Sequence, residues 1–282
     1  MTGSRVLSTD DLVLCGGTVR GAGFRAMVDA ASAAGFQGLS FYLSDYERAR
    51  QDGWTDAGLG ALLDDHGLAV AELDGHMDWL PAPGVDAPSV PRFLAAASAL
   101  GARSITALEV AGRSIGTDVS FAEAADAFAV LCDQAAEAGL LVHIEYFPWS
   151  GIADMATAYE VARLAGRPNG GVMMDVWHHV RGPDGGTVEL GVPAGAILAV
   201  QVGDVLDTPG PSVRDEAMHD RLLPGEGAGH VAVILNALRD QGCTAPMEVE
   251  VYSDRLAALP ARQAAQLAGD ALRTVLGVAG LR

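Results

Sequence analysis

Four oxygen-bearing side chains stand near the ends of short apolar segments in the second half of this 282-residue chain: Glu145, Asp175, Gln201 and Glu250. An unpaired carboxylate is costly to bury in an apolar segment, and three carboxylates brought together repel one another. A divalent cation removes both problems, and carboxylate and amide oxygens are hard ligands that suit Mn²⁺ or Mg²⁺. The four residues therefore predict one divalent metal ion, with Mn²⁺ expected first and Mg²⁺, Co²⁺ or Fe²⁺ as alternatives. Taken singly, Glu145 could be a salt-bridged strand end and Gln201 a satisfied polar side chain.

The segments that carry these residues belong to a repeating pattern. An alanine-rich helical stretch ends in glycine, as a left-handed helix C-cap requires, and a β-rich run follows at once. Counting these runs predicts eight strands, near residues 12–15, 37–42, 68–73, 103–109, 140–146, 171–176, 197–202 and 245–251. Strand–helix alternation implies parallel pairing, and eight units predict an α/β fold, a single (β/α)₈ TIM barrel domain spanning residues 1–282.

The helices between the strands follow from apolar spacing. It predicts helices over 24–35, 121–138, 230–241 and 261–276. Ser120 and Glu123 form a capping-box pattern before the second of these. An open doubly wound sheet is the fold alternative, but Gly16–Gly21 lacks the GxGxxG spacing of its phosphate loop.

Composition narrows the classes of partner. A formal charge of −18 argues against nucleic acid and anionic membranes as partners. No apolar stretch of about 18 residues predicts a membrane span, and the N-terminus has no signal-peptide pattern. Three widely spaced cysteines fit buried thiols in a reducing compartment rather than disulfides. We therefore expect a cytoplasmic protein.

Longer motifs around the four oxygen-bearing residues resemble a known family. They are HIEYFPW (143–149), MMDVWHHVRG (173–182), VQVGDV (200–205), RLLPGEG (221–227) and MEVEVYSD (247–254). They are similar to the sugar phosphate isomerase/epimerase family, the xylose-isomerase-like TIM barrels, and the resemblance covers essentially the whole chain. It implies metal binding by the same four residues, a family histidine at His178, and an arginine at Arg221 that holds a substrate oxygen.

Two features of these motifs differ from many isomerases and epimerases of the family. Gln201 stands where those enzymes have histidine, and together with the PGEG loop it resembles the 3-dehydroshikimate dehydratase branch. That branch has histidine where this chain has Phe147. Epimerases of the family also use a second glutamate in the strand-5 loop, and residues 147–151 contain none.

The resemblance implies an enzyme that removes a proton next to a carbonyl of a small polyhydroxylated substrate, through an enediolate stabilised by the metal. We expect His178 at the barrel mouth as the base. His143 shares a strand face with Glu145 and is either a rival base or a partner of a ligand carboxylate. The expected substrate-binding residues are Arg181, Arg221, Trp177 and Phe147, although Arg181 could equally form a surface salt bridge.

Three functional hypotheses follow from this reasoning. The first is a sugar or cyclitol isomerase or epimerase. The second is a metal-dependent dehydratase or β-eliminating lyase acting on a 3-dehydroshikimate-like or 3-keto-glycoside substrate. The third is a non-catalytic barrel subunit of a complex. A homo-oligomer or a partner subunit is compatible with each of them.

Overall fold

The computed structural model describes residues 7–8, 10–76, 78–80 and 89–281, without the side chain of His76. Eight parallel strands close into a barrel in which each strand pairs with the next and β8 pairs with β1. The strands are β1 (Leu12–Cys15), β2 (Gly38–Tyr42), β3 (Ala69–His76), β4 (Ser104–Leu108), β5 (Leu141–Glu145), β6 (Gly170–Asp175), β7 (Ile197–Val202) and β8 (Met247–Val249). The predicted (β/α)₈ fold is confirmed.

Eleven α-helices lie within the described parts of the chain. They are α1 (Phe24–Ala33), α2 (Leu43–Gln51), α3 (Asp56–Asp65), α4 (Ser89–Leu100), α5 (Phe121–Glu137), α6 (Met155–Ala165), α7 (Val176–Arg181), α8 (Val213–His219), α9 (Val231–Asp240), α10 (Asp254–Ala257) and α11 (Ala261–Val278). The four predicted helices are confirmed with ends shifted by at most two residues. The capping box of Ser120 and Glu123 is also present. None of the helices described here has both the length and the apolar character needed to cross a membrane.

Side chains along a strand point alternately to the core between the strands and the helices and to the inside of the barrel. On β5, Val142 and Ile144 are fully buried in the large apolar core that includes the helices. His143 and Glu145 lie between them in sequence and face the inside of the barrel, where their polar partners lie. A small apolar cluster of Leu7, Val13, Ala69 and Ala71 fills the end of the barrel where the strands begin. The polar part of the barrel is therefore the end where the strands finish.

Candidate active site

The four predicted metal ligands lie at that C-terminal end. Glu145 and Asp175 are the last residues of β5 and β6, Gln201 is the next to last of β7, and Glu250 follows the end of β8. Asp175 lies opposite Gln201 in the strand register. All four side chains are buried. The parallel register thus brings four sequence-distant residues to one mouth.

Glu145, Asp175 and His178 form the tightest group of possible ligands in the described residues. One ligand atom of each lies within 4.8 Å of the other two. His178 Nε2 is 3.5 Å from Glu145 Oε1 and 3.4 Å from Asp175 Oδ2. The imidazole reaches both carboxylates because α7 begins directly after β6. His178 therefore lies within reach of the same ion as the two carboxylates, whereas the sequence motifs indicated only a base at this position.

The guanidinium of Arg221 links the two sides of the mouth. Nη1 donates to Asp175 Oδ2 at 2.7 Å and to Glu250 Oε2 at 3.0 Å. Nη2 lies 3.2 Å from His178 Nε2. Nε2 also lies within 3.5 Å of the carboxylates of Glu145 and Asp175, so it accepts from Arg221 in one tautomer of the ring and faces these carboxylates as a donor in the other. Arg221 thus contacts two carboxylates and the imidazole at once.

The second oxygen of Glu250 has three further partners. Oε1 lies 3.1 Å from Cys15 Sγ, 3.4 Å from the Tyr42 hydroxyl and 3.2 Å from Gln201 Nε2. The Tyr42 hydroxyl also hydrogen-bonds the hydroxyl of Tyr252. The sequence motifs gave no sign of these contacts, because Cys15 and Tyr42 lie on β1 and β2, far from Glu250 along the chain.

A second polar layer lies beneath the mouth. His143 Nε2 is 3.0 Å from both Glu72 Oε2 and Ser104 Oγ. Gln201 Nε2 lies 3.4 Å from Glu72 Oε1 and so connects this layer to the mouth. Glu248 is buried here as well. The structure therefore places His143 against Glu72, and none of its described contacts reaches the carboxylate of Glu145.

Electrostatic effects in the mouth are strong. Burial, and after it the neighbouring carboxylates, raise the pKa of Glu145 well above its usual value. Burial also raises the pKa of Glu250 to about 8, although Arg221 opposes the rise. For Asp175, burial is the largest single effect and raises the pKa, but the charge of Arg221 and the hydrogen bonds that the carboxylate accepts act together in the opposite direction, and the net pKa lies below the usual value. Among these carboxyl groups only Asp175 is well compensated.

Burial lowers the pKa of His178 to about 3, with Asp175 opposing and Arg221 reinforcing the effect. Burial likewise lowers the pKa of His143 to about 3. Both imidazoles are therefore neutral near pH 7. A neutral imidazole is the form that can bind a metal or accept a proton.

The side chains of the mouth fit a divalent cation. Gln201 directs Nε2 toward the acceptors Glu250 and Glu72, which leaves its buried Oε1 without a partner among the described residues. Glu145 accepts no hydrogen bond from a described residue, and its nearest basic atom is His178 Nε2 at 3.5 Å. Uncompensated carboxylate and amide oxygens are the donor set of a hard cation.

Aromatic rings surround His178. The ring centroids of Phe147, Trp149 and Trp177 lie 5.6, 5.3 and 5.2 Å from that of the imidazole. The guanidinium of Arg221 lies 5.1 Å from the Trp177 ring centroid. Phe147 and Trp177 thus lie beside His178, and their role in substrate binding stays a prediction.

Arg181 points elsewhere. Its Nε and Nη2 donate to Glu216 Oε1 at 2.8 and 2.6 Å, and Nη2 also donates to the carbonyl of Leu206 at 2.7 Å. This matches the salt-bridge alternative for Arg181, and no described contact joins it to the cluster. A role for Arg181 in substrate binding remains a prediction.

Asp204 holds the loop that follows Arg221. Its carboxylate accepts four backbone N–H groups, from Val205, Gly225, Gly227 and Gly229, at 2.8 to 3.0 Å. A Cβ on Gly227 would lie 2.1 Å from the Val205 carbonyl oxygen, so glycine is required where the loop passes this close. Asp204 also exchanges two backbone hydrogen bonds with Leu222. The PGEG motif thus forms a loop fastened next to Arg221.

Comparison with known proteins gives a match over most of the chain. The family model described as "Xylose isomerase-like TIM barrel" matches residues 28–275. Inosose isomerase of Halalkalibacterium halodurans is 28% identical over 135 residues, which are 47% of this chain and 46% of that protein. The 3-dehydroshikimate dehydratase of Pseudomonas putida is 26% identical over 152 residues, which are 54% of this chain and 23% of that protein. The match spans less than half the length of either relative.

Solved structures share the whole barrel. The IolI protein with a bound zinc atom superposes with a TM-score of 0.83 and 18% identity, covering 95% of this chain and 98% of that one. D-Psicose 3-epimerase in the presence of D-fructose superposes with a TM-score of 0.73 and 15% identity, covering 96% and 99%. At these identities the likeness establishes the fold.

Proposed function

This chain belongs to the xylose isomerase-like TIM barrel family, and from this we propose that it is a metal-dependent isomerase or epimerase of a sugar or cyclitol. Its chemistry would be transfer of a proton next to a carbonyl group. The observation that carries the proposal is the buried Glu145–Asp175–His178 cluster with Arg221 beside it at the barrel mouth. Inosose isomerase and D-psicose 3-epimerase, which the chain resembles in sequence or in fold, support this class of reaction.

The proposed cation would be held by Glu145, Asp175, Gln201 and Glu250, and His178 is close enough to the first two to take part. When bound, it would supply Lewis-acid polarisation of the substrate carbonyl. Mn²⁺ is our first expectation from the oxygen-rich ligand set. The IolI structure with bound zinc supports a divalent ion without fixing its identity.

His178 is the proposed base, and the contact from Arg221 would decide whether its Nε2 is free to accept a proton. Arg221 Nη2 lies 3.2 Å from His178 Nε2 and donates to it in the tautomer whose lone pair is on Nε2. A substrate oxygen that takes this donor would free the lone pair, and Nε2 could then accept the proton from the carbon next to the carbonyl. Returning the proton to the neighbouring carbon gives the isomer, whereas an epimer would require a second acid that delivers a proton to the opposite face of the same carbon.

A dehydratase or β-eliminating lyase is the second candidate. The loop between β5 and α6 brings the aromatic rings of Phe147 and Trp149 to His178, and no acidic side chain of its residues 146–153 is available as a second base. A single base suits elimination, in which His178 removes the proton and a β-hydroxyl leaves as water. The similarity to 3-dehydroshikimate dehydratase supports this candidate.

Measuring the metal content of the protein tests the divalent metal site that both candidate functions require. We expect about one divalent ion per chain in the wild-type protein, and none in Glu145→Gln or Glu250→Gln, because each variant removes a charged ligand. Glu160→Gln is the matched control, since Glu160 pairs with Arg163 on the surface of α6. A metal-free wild-type protein that neither Mn²⁺ nor Zn²⁺ stabilises would contradict the proposal and favour a barrel that acts through partner proteins.

Proton transfer is measured by NMR in D₂O with an inosose and with D-psicose. Isomerisation or epimerisation places deuterium next to the carbonyl, whereas elimination yields an unsaturated product that absorbs in the ultraviolet. His178→Gln should abolish either signal. His219→Gln, at an exposed histidine that contacts Asp254, should leave it unchanged. Full exchange by His178→Gln would exclude His178 as the base.

A further inference from the structure

The contact between Gln201 and Glu72 crosses the interior of the barrel. Gln201 lies on β7 and Glu72 on β3, and these strands are on opposite sides of the closed ring of eight. Gln201 Nε2 donates to Glu72 Oε1 at 3.4 Å. Both side chains are buried, with 0% and 1% of their surface exposed. A buried side chain of β3 thus contacts a proposed metal ligand of β7 directly.

The amide group of Gln201 has two ends that differ in their value to a cation. Its Nε2 group carries two hydrogens, and these have two acceptors, Glu72 Oε1 at 3.4 Å and Glu250 Oε1 at 3.2 Å. Its Oε1 is buried and has no partner among the described residues. Turning the amide over would set Oε1 against both acceptors and leave the nitrogen, which hard cations do not bind, in place of the oxygen. A cation can therefore use Gln201 in the orientation that the two acceptors favour.

The two acceptors differ in their surroundings. Glu250 is itself a proposed ligand, and its Oε1 also lies 3.1 Å from Cys15 Sγ and 3.4 Å from the Tyr42 hydroxyl. Glu72 lies beneath the mouth and does not belong to the proposed set of ligands. Glu72 can therefore hold the amide of Gln201 even when Glu250 turns toward a cation.

Glu72 is itself held by other strands. Its Oε2 lies 3.0 Å from His143 Nε2, which is also 3.0 Å from Ser104 Oγ. Ser104 lies opposite Glu72 in the register of β3 and β4, and its hydroxyl donates to the carbonyl of Ala71 at 3.1 Å. The side chain of Glu248 on β8 also hydrogen-bonds Glu72. Side chains of β5 and β8 thus hold the carboxyl group in place.

Protonation of Glu72 would not remove the contact with Gln201. Burial, and after it the charge of Asp74, raise the pKa of Glu72 well above its usual value, and the hydrogen bond with Glu248 opposes the rise. A protonated carboxyl group still has one oxygen that only accepts. With the proton on Oε2, which faces His143, Oε1 remains the acceptor for Gln201.

We propose that Glu72 is a positioning residue that turns the amide oxygen of Gln201 toward the proposed metal ion. Glu72 acts through Gln201 and touches neither the ion nor the substrate. This inference rests on the proposed function and deepens it, because it extends the metal site to the polar layer beneath the mouth.

The affinity for Mn²⁺, measured by titration calorimetry, tests the proposal. Glu72→Met keeps the length of the side chain and removes the acceptor, so the affinity should fall about 10–100-fold, as when other groups that orient a metal ligand are removed. Glu72→Gln keeps an oxygen acceptor and should bind Mn²⁺ within about threefold of the wild type. Glu72→Asp keeps the carboxyl group but withdraws it by one methylene group from a contact that is already 3.4 Å long. Its affinity should also fall, and it serves as the test if Glu72→Met does not fold.

A double-mutant cycle separates positioning from general damage to the barrel. In Gln201→Glu both side-chain oxygens can bind the ion, so adding Glu72→Met should not weaken Mn²⁺ binding further. Ser104→Ala is the structural control, since it removes a buried hydroxyl that contacts His143 in the same layer. It should lower the free energy of unfolding and leave the Mn²⁺ affinity unchanged. Equal losses from Glu72→Met in both backgrounds, or wild-type affinity in both Glu72→Met and Glu72→Asp, would overturn the proposal.

The outcomes separate this inference from the proposed function. Wild-type protein that binds Mn²⁺ but exchanges no substrate proton overturns proton transfer, while the variants at position 72 still decide the role of Glu72. Wild-type protein that exchanges the proton, with unchanged Mn²⁺ affinity in the variants, overturns the positioning role alone. Wild-type protein that binds no divalent ion overturns both.

Discussion

Replacing Asp204 with asparagine tests how the loop next to Arg221 is held. Oδ1 of Asp204 accepts the N–H groups of Val205 and Gly229, and Oδ2 accepts those of Gly225 and Gly227. Asparagine keeps one oxygen and turns an amino group toward the other two donors. Because the site is buried, two bonds to a charged acceptor are lost at about 1.5–3 kcal/mol each, so the free energy of unfolding should fall by about 3–6 kcal/mol.

The assay is equilibrium urea unfolding followed by tryptophan fluorescence. Asp207→Asn makes the same chemical change three residues away, at an exposed side chain, and should alter the free energy of unfolding by no more than about 0.5 kcal/mol. A loss below about 1 kcal/mol in Asp204→Asn, or an equal loss in both variants, would refute the reasoning. The metal affinity of Asp204→Asn should also fall, because the loop orients Arg221 between Asp175 and Glu250.

Three further predictions concern backbone packing, an ion pair and the thiols. Gly151→Ala would place a methyl group 1.9 Å from a backbone carbonyl oxygen and should lower the free energy of unfolding by at least about 2 kcal/mol. Gly60→Ala, with nothing within 4 Å of the new methyl group, should raise the free energy of unfolding by about 0.5–1 kcal/mol. Urea titrations measure both changes. Arg181→Gln leaves Glu216 buried without its partner and should cost about 3–5 kcal/mol of stability with KM unchanged, so an increased KM would instead show a substrate contact. All three cysteines are buried, and burial raises the pKa of Cys132 to about 12. A thiol reagent at pH 8 should therefore label only unfolded protein. Rapid labelling of native protein would contradict this placement.

The strands were predictable because a local sequence pattern indicates each of them. Glycine ends the preceding helix, and β-branched or aromatic residues follow within a few positions. The ends of the strands were less predictable. β3 continues to His76, beyond the predicted residue 73, because Asp74 pairs with Tyr42 on β2 and His76 pairs with Ala107 on β4 after irregularities in the register. Such pairing depends on neighbouring strands that a local pattern does not contain.

The positions of the candidate ligands were predictable for a related reason. Strand alternation and a shared strand end are enough to place Glu145, Asp175 and Gln201 at one mouth. The partners of these side chains were not predictable, because each contact joins distant parts of the chain. Gln201 and Glu72 are 129 residues apart, and Arg181 and Glu216 are 35 apart. Only the three-dimensional structure shows which of several possible partners each charge adopts.

The alternation along β5 has a consequence for the evolution of this barrel. Val142 and Ile144 belong to the apolar core shared with the helices, whereas His143 and Glu145 belong to the chemistry inside the barrel. Folding and the proposed catalysis therefore draw on interleaved positions of the same strand. A mutation at an inward position can change the candidate site without repacking the strand–helix core. Selection for a new substrate can act on one set of positions while the other preserves the fold.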